Sequence, residues 1–560
     1  MNKKLLLVCC VTAVGLNSCR ENAGPSKAAI DAIQLKRGSQ VSCGNGIQGL
    51  GEVSFPITGS EQVNKQFNLG VKLLHSFEYD EAEKVFAAII DNAPNTLMAY
   101  WGVAMSNFHP LWTPPSDAEL IKGAKALALA AQVSGGTTKE KAYMAAINAF
   151  YNGWKTSDHR TRSLRFEKEM ENLYAKHPED KEVTSFYALA LTGAADPNDQ
   201  AFVKQKKAGQ LLTSLYPGQP NHPGIVHYII HAYDSPELAG LALPAARRYA
   251  SVAPSSAHAL HMPSHIFTRL GLWDESIQAN LASVANAKCY AEATGIKGHW
   301  DEELHGLDYL AYAYLQKGDN RSAKQQWDYL ATMKLVEPLN FKVAYAFAAI
   351  PSRYLLENRL WAEAAMLEAD FAGIQWQKFP WQHSIIVATR MMGAVHTGNT
   401  KAALAAINNL EEIKSSLLKQ KNNYQVKLVD IKIKTGRAWL LLQDHQPEAA
   451  VALMTEAADL EDKTEKHPVT PGEVIPAREY LADMLLELNQ PGKAMQMYEA
   501  SLKKNNNRFN SLSGAAVAAG KAGDSAKCRT YYAKLALSAA SAQRPEAEIA
   551  RRYIAGVGSN

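Results

Sequence analysis

The sequence is poor in cysteine, with six in 560 residues, and Cys9, Cys10 and Cys19 fall within the first nineteen. Cys43, Cys289 and Cys528 remain, an odd number with no CxxC pair. That excludes a disulfide-built scaffold and a thiolate zinc site, and allows at most one disulfide in the mature chain. Charge of one sign is also lacking: the net charge is +4, and basic runs such as residues 204–207 are isolated. Nucleic acid is therefore not an expected partner. Beyond the first sixteen residues no stretch reaches the roughly 18 unbroken apolar residues of a spanning helix. Two-residue alternation bounded by hairpin turns is nearly absent, so strands are not expected. No HExxH and no GxSxG occurs, which removes the support for a zincin protease or a hydrolase elbow. The stretch GAAVAAGKA (514–522) has one residue too many between its glycines for a phosphate loop, and Ala522 where a magnesium-binding hydroxyl belongs.

What is present is an ordinary globular composition, 47% hydrophobic and 20% charged. It is arranged as alanine-rich amphipathic segments separated by short turns such as KGDN and NQPGK. The fold class is all-α.

At the N-terminus Lys3 and Lys4 precede an apolar run, Leu5 to Leu16, and then Leu16-Asn17-Ser18-Cys19. This resembles a bacterial lipoprotein signal with its lipobox. The resemblance implies a signal peptide over 1–18, lipidation at Cys19, and a protein tethered by lipid to the bacterial cell envelope, at the outer membrane. Residues 19–60, rich in Gly, Ser and Pro, read as a flexible tether.

From residue 61 the chain repeats. Leu69, Gly70, Leu73, Ala82, Phe86, Ile89 and Pro94 fall at spacings that resemble the tetratricopeptide repeat. Leu481, Ala482, Leu485, Ala494 and Tyr498 form a second copy, and Leu310, Ala311, Tyr314, Ala323 and Trp327 a third. The resemblance implies a right-handed α-solenoid of helix hairpins, divided here into an N-terminal part (61–335) and a C-terminal part (336–560). The blocks HPGIVHYIIHAYD and HALHMPSHIFTRLG further resemble a recurrent segment in a subfamily of bacterial tetratricopeptide proteins, which implies no reaction.

Those blocks carry the chemistry. Eight of the 16 histidines lie between His222 and His305, and two HxxxH pairs, His227/His231 and His261/His265, recur 34 positions apart. With Gly70 at position eight of a unit, His227 and His261 share position five, His231 and His265 position nine, and His258 and His305 position two. Asp234 takes position twelve and Asp308 position five. The resemblance implies that these positions line the concave groove, and i, i+4 spacing independently puts each pair on one helix face. Neighbouring helices lie roughly 8 to 10 Å apart, so the two pairs are expected to face each other as one ligand cage, with His258, His305, Asp234 and Asp308 as further ligands or orienting groups. Tyr228, Tyr309 and Tyr312 are nearby donors, and Glu302 and Glu303 are available as acid or base. Imidazole-rich, thiol-poor ligation suits zinc, copper or iron. Two function classes stand at this point. One is a metal centre, extending to a metal-dependent enzyme acting on a small molecule or peptide end; the other is a metal-free scaffold that binds an envelope protein or peptide in a histidine-lined groove. Pro263 removes a backbone hydrogen bond beside His261 and His265 in either case. His75, His109, His222 and His299 are expected to be structural, and the loop 463–476 to be a hinge or a partner contact.

Overall fold

The computed structural model of the protein describes residues 24–44, 46, 49–111, 114–368 and 373–556. Cys19 and the signal peptide expected over 1–18 lie outside the described residues. Helices follow one another from Glu61–His75 to Pro545–Ala555, each packed on its chain neighbours as an antiparallel hairpin array. The all-α solenoid follows directly. Among the described residues, strand pairing is limited to His299–Trp300 against Val336–Glu337.

The small residues read as repeat positions are where helices touch. A Cβ on Gly70 would lie 2.5 Å from the Phe86 ring, and one on Gly514 2.2 Å from Tyr498. Side chain and backbone thus interlock at the positions that repeat. Helix starts are set locally: Ser116 and Glu119, and likewise Thr137 and Glu140, form reciprocal capping boxes.

Two expectations about organisation are corrected. The described residues of this segment, 24–44, 46 and 49–60, form a packed strap, not a tether. Ile30, Ile33, Leu35, Leu50, Phe55 and Ile57 are buried in the same core as the first helices. Phe55 sits among Phe67, Tyr143 and Trp101, with ring centroids 5.0 to 5.8 Å away. The strap lacks helical periodicity because its backbone is bonded outward: the amides of Lys36, Val41 and Thr58 donate to Glu83, Glu81 and Glu140. Nor is there a packing break at 335/336. The strand pair crosses that boundary, and the helix Asp301–Gln316 packs on Phe341–Glu357.

Cys43 and Cys289 are joined in a disulfide that ties the strap to the long helix Trp273–Thr294, 246 residues away in sequence. Cys528 is free and buried. Closing so long a loop is worth about 2 to 5 kcal/mol. Replacing Cys43 and Cys289 by serine is expected to lower the thermal midpoint by several degrees, and differential scanning calorimetry would show it.

Candidate metal centre

The histidines are delivered by three successive segments. Helix Pro223–Ala232 begins at Pro223, with His222 as its N-cap, and carries His227 and His231. Ala257–His261 and Pro263–Leu270 follow, and Met262 between them keeps helical angles (φ −53°, ψ −37°). Pro263 therefore opens the second segment with His261 just ahead of it, and the helix runs on with one backbone bond missing. Helix Asp301–Gln316 supplies His305.

They do not form one four-histidine cage. Each HxxxH pair takes its third member from the following segment, giving His227/His231/His258 and His261/His265/His305, with one nitrogen of each residue within 4.8 Å of the others in its triad. Histidines at i and i+4 stand one above the other on a helix face, so each pair converges by itself: His231 Nε2 is 2.9 Å from His227 Nε2, and His265 Nε2 is 3.1 Å from His261 Nε2. Position two of the next unit then closes the triad. His258 Nε2 lies 3.2 Å from His227 Nε2, and the His305 ring is centred 4.1 Å from His261.

Protonation follows from the outer contacts. The Nδ2 of Asn280 donates to the Ser276 carbonyl at 2.7 Å, so its Oδ1, 2.6 Å from His261 Nδ1, must accept. His265 Nδ1 is 3.0 Å from Asp234 Oδ2. Burial alone would raise the Asp234 carboxyl, but Lys466, Arg269 and His265 outweigh it and hold the group well below the usual carboxylate range. Asp234 is thus an anion and can only accept. Both Nδ1 atoms are donors, so in the neutral rings both Nε2 atoms are bare lone pairs 3.1 Å apart. Tyr309 Oη is no closer than 3.4 Å to either nitrogen of His265. His227 is fixed the same way, its Nδ1 donating to the His75 carbonyl at 2.6 Å.

Extra protons do not resolve these contacts. Burial, reinforced by neighbouring histidines, pushes His227, His231, His258, His261 and His305 well below the ordinary imidazole range. Burial lowers His265 too, against the pull of Asp234. Two nitrogens bound to one ion through bonds of about 2.0 to 2.1 Å stand about 2.8 to 3.4 Å apart, which brackets the 2.9, 3.1 and 3.2 Å of His227–His231, His261–His265 and His227–His258. The residues present fit a divalent transition metal at each triad.

Asp308 is not among them. It pairs with buried Arg353, and burial, opposed by that guanidinium, raises its carboxyl to about 6. Asp234 serves as the orienting partner of His265, held in turn by Arg269 Nε at 2.8 Å. Glu303 is turned away toward His299 and Tyr329, at 2.9 and 2.7 Å. His109 bonds Glu119 at 2.9 Å.

His75, Glu182 and His222 also cluster, but every ring nitrogen there has a complementary partner. His222 Nδ1 accepts from the Ile225 amide, leaving Nε2 to donate to Glu182 at 2.8 Å; His75 bonds Glu182 at 3.0 Å and Tyr228 Oη at 2.9 Å. Burial would raise the Glu182 carboxyl, yet the two imidazoles hold it down to about 2. This cluster anchors the His75 carbonyl that fixes His227. A Cβ on Gly224 would meet the His75 ring at 2.3 Å, so that contact needs glycine.

Three features gave no signal in the sequence. Asn280 and Glu182 sit on other helices with no motif around them. Phe77 adopts φ 58°, a left-handed conformation costing an aromatic residue roughly 1 to 2 kcal/mol. Its ring contacts all three imidazoles of the first triad at 4.5 to 5.5 Å between centroids.

Four of the six histidines border two cavities. One, of about 580 Å³, is bordered by His231, Asp234 and Arg269. The other, of about 280 Å³, is bordered by His258, His265 and His305. The loop 463–476 packs over this region: Lys466 and His467 line the larger cavity, Val469 the smaller, and the Gly472 carbonyl accepts from Arg353 at 2.7 Å.

No family model matches the chain, and no curated protein matches it. Similar solved structures include human IFIT1 as a dimer with m7Gppp-AAAA, at 10% identity over 83% of this chain and 95% of that one, TM-score 0.33. The P58(IPK) TPR domain aligns at 12% identity over 83% and 99% of the two chains, TM-score 0.18. Naa15/Naa10 bound to HypK aligns at 12% identity over 88% and 73%, TM-score 0.21. At these identities and scores the ligands of those proteins carry no information about this one.

Proposed function

We propose that the chain is a lipid-anchored envelope α-solenoid that holds transition-metal ions at its two histidine triads and acts as a metal-dependent enzyme on a small molecule. The observation that carries the reading is the pair of facing, unprotonated Nε2 atoms of His261 and His265. Neutral imidazoles suit zinc, copper or iron. A bound ion would supply Lewis acidity beside the cavities. This chain's own residues set the rest: Asn280, Asp234 and the His75 carbonyl fix the tautomers, and Glu302 presents a carboxylate to the smaller cavity.

The envelope placement draws support from the Cys43–Cys289 disulfide, which suits an oxidising compartment. No helix among the described residues is long and apolar enough to cross a membrane, and the anchor in this reading is a lipid on Cys19. A peptide-binding scaffold would need the imidazoles open to a partner; His227, His261, His265 and His305 are buried and His231 and His258 half-buried.

Adding zinc, copper or iron to chelator-stripped protein tests the reading. An ion at about a thousand times its Kd stabilises the folded state by about 4 kcal/mol, seen as a raised thermal midpoint; a midpoint unmoved by all three metals would contradict the proposal. Asp234→Asn, which removes the anion behind His265, is expected to weaken binding by about 10- to 100-fold in a chelator competition.

A further inference from the structure

The smaller cavity sets a largely aromatic wall against charged and polar groups, one of which, the Glu302 carboxylate, has an oxygen without a donor. Its apolar wall is largely aromatic: Phe77, Tyr79, Trp300 and Phe341 border it, each half-buried. These rings pack on other rings, Trp300 on Tyr290 at 4.4 Å, Phe77 on Tyr79 at 5.3 Å and Phe341 on His467 at 5.4 Å between centroids. Opposite them Lys342 bonds Asp301 at 2.6 Å and also Glu302 Oε1. Burial acts against ionising Glu302, but Lys342 pulls its carboxyl below the usual range, so it is an anion. Its other oxygen, Oε2, is buried and has no hydrogen-bond partner. A buried carboxylate oxygen without a donor is costly and is seldom left so. His258, His265 and His305 stand on the same cavity.

We infer that this cavity binds a small aromatic molecule bearing a hydroxyl or amino donor, its ring among Phe77, Tyr79, Trp300 and Phe341 and its donor on Glu302 Oε2. A volume of about 280 Å³ is at the low end for small-molecule sites, which admits a single substituted ring and excludes a folded peptide segment. The bound donor would lie beside the histidine triads. The inference deepens the metal-enzyme reading by naming the class of substrate, yet the recognising groups are aromatic rings and a carboxylate that need no ion.

The test therefore uses the full soluble chain stripped of metal, with phenol, aniline, anisole and cyclohexanol as probes, followed by calorimetry and tryptophan fluorescence. Phenol and aniline are expected to bind about tenfold tighter than anisole, which has the ring without the donor. Cyclohexanol, with the donor but no ring face, is expected to be weaker by a similar factor. Glu302→Gln should erase most of the preference for phenol over anisole, and Trp300→Leu should weaken both. Should Glu302→Gln fail to fold, the parent's phenol-to-anisole ratio and the Trp300→Leu result decide the matter. Equal binding of phenol and anisole, indifference to Trp300→Leu, or no binding of any probe at millimolar concentration would overturn the inference. Such a failure leaves metal binding standing, and a protein that takes no metal but prefers phenol would separate the two in the opposite direction.

Discussion

Replacing His261 and His265 together by alanine is expected to empty the second triad and leave the first loaded. Each triad is self-contained: His227 and His231 converge with His258, and His261 and His265 with His305. Losing two of three ligands costs more than the about 10- to 100-fold that follows loss of an outer partner, so the variant should retain about half the metal of the parent. The variant His227→Ala/His231→Ala should do the reverse. If either double replacement emptied both triads in a protein that still folds, the centre would be one shared cage and the division into triads wrong.

Acid should unfold the metal-free protein over a narrow range. The six imidazoles are all depressed in the folded state by burial, while in the unfolded chain each titrates near 6.5. Above that pH both states are neutral there and these groups leave stability unchanged. Below it the unfolded chain takes up protons that the folded state refuses, so stability is lost as pH falls. Each histidine contributes up to about 1.4 kcal/mol per pH unit, and the five held well below the ordinary range together remove about 5 kcal/mol between roughly pH 6.5 and 5.5, His265 adding in the same direction. Against a total of about 5 to 15 kcal/mol that is a large loss. Thermal midpoints measured from pH 7.5 to 5 should fall steeply below 6.5 in stripped protein and begin to fall at lower pH once metal is bound. A midpoint independent of pH over that range would show that the imidazoles are not buried neutral.

Much of this centre was legible in the sequence, because helical spacing alone puts His227 with His231 and His261 with His265, and the repeat register puts His258 and His305 in equivalent places. The grouping was not. Pairs on neighbouring helices were expected to face each other, yet an i, i+4 pair already closes on itself, and the gap between helices is filled by position two of the next unit. Asp308 shares its register with His227 and His261, but Arg353 from the following helix captures it, a tertiary event no spacing reports. Asn280 and Glu182 were invisible for the same reason. The strap was read as a tether because Gly, Ser and Pro dominate it, while its anchors, Ile30, Ile33, Leu35, Leu50, Phe55 and Ile57, follow no period. The loop 463–476, which reads in the sequence as a hinge or a partner contact, borders the cavities beside the histidines.

The central claim is that the triads hold metal, and elemental analysis tests it most directly. Inductively coupled plasma mass spectrometry on the soluble chain lacking residues 1–19 would be run beside His231→Ala/His265→Ala, which removes one ligand from each triad. The account predicts about two equivalents of zinc, copper or iron in the parent and almost none in a variant with unchanged circular dichroism. A parent that remains metal-free after incubation with each of the three metals would contradict it.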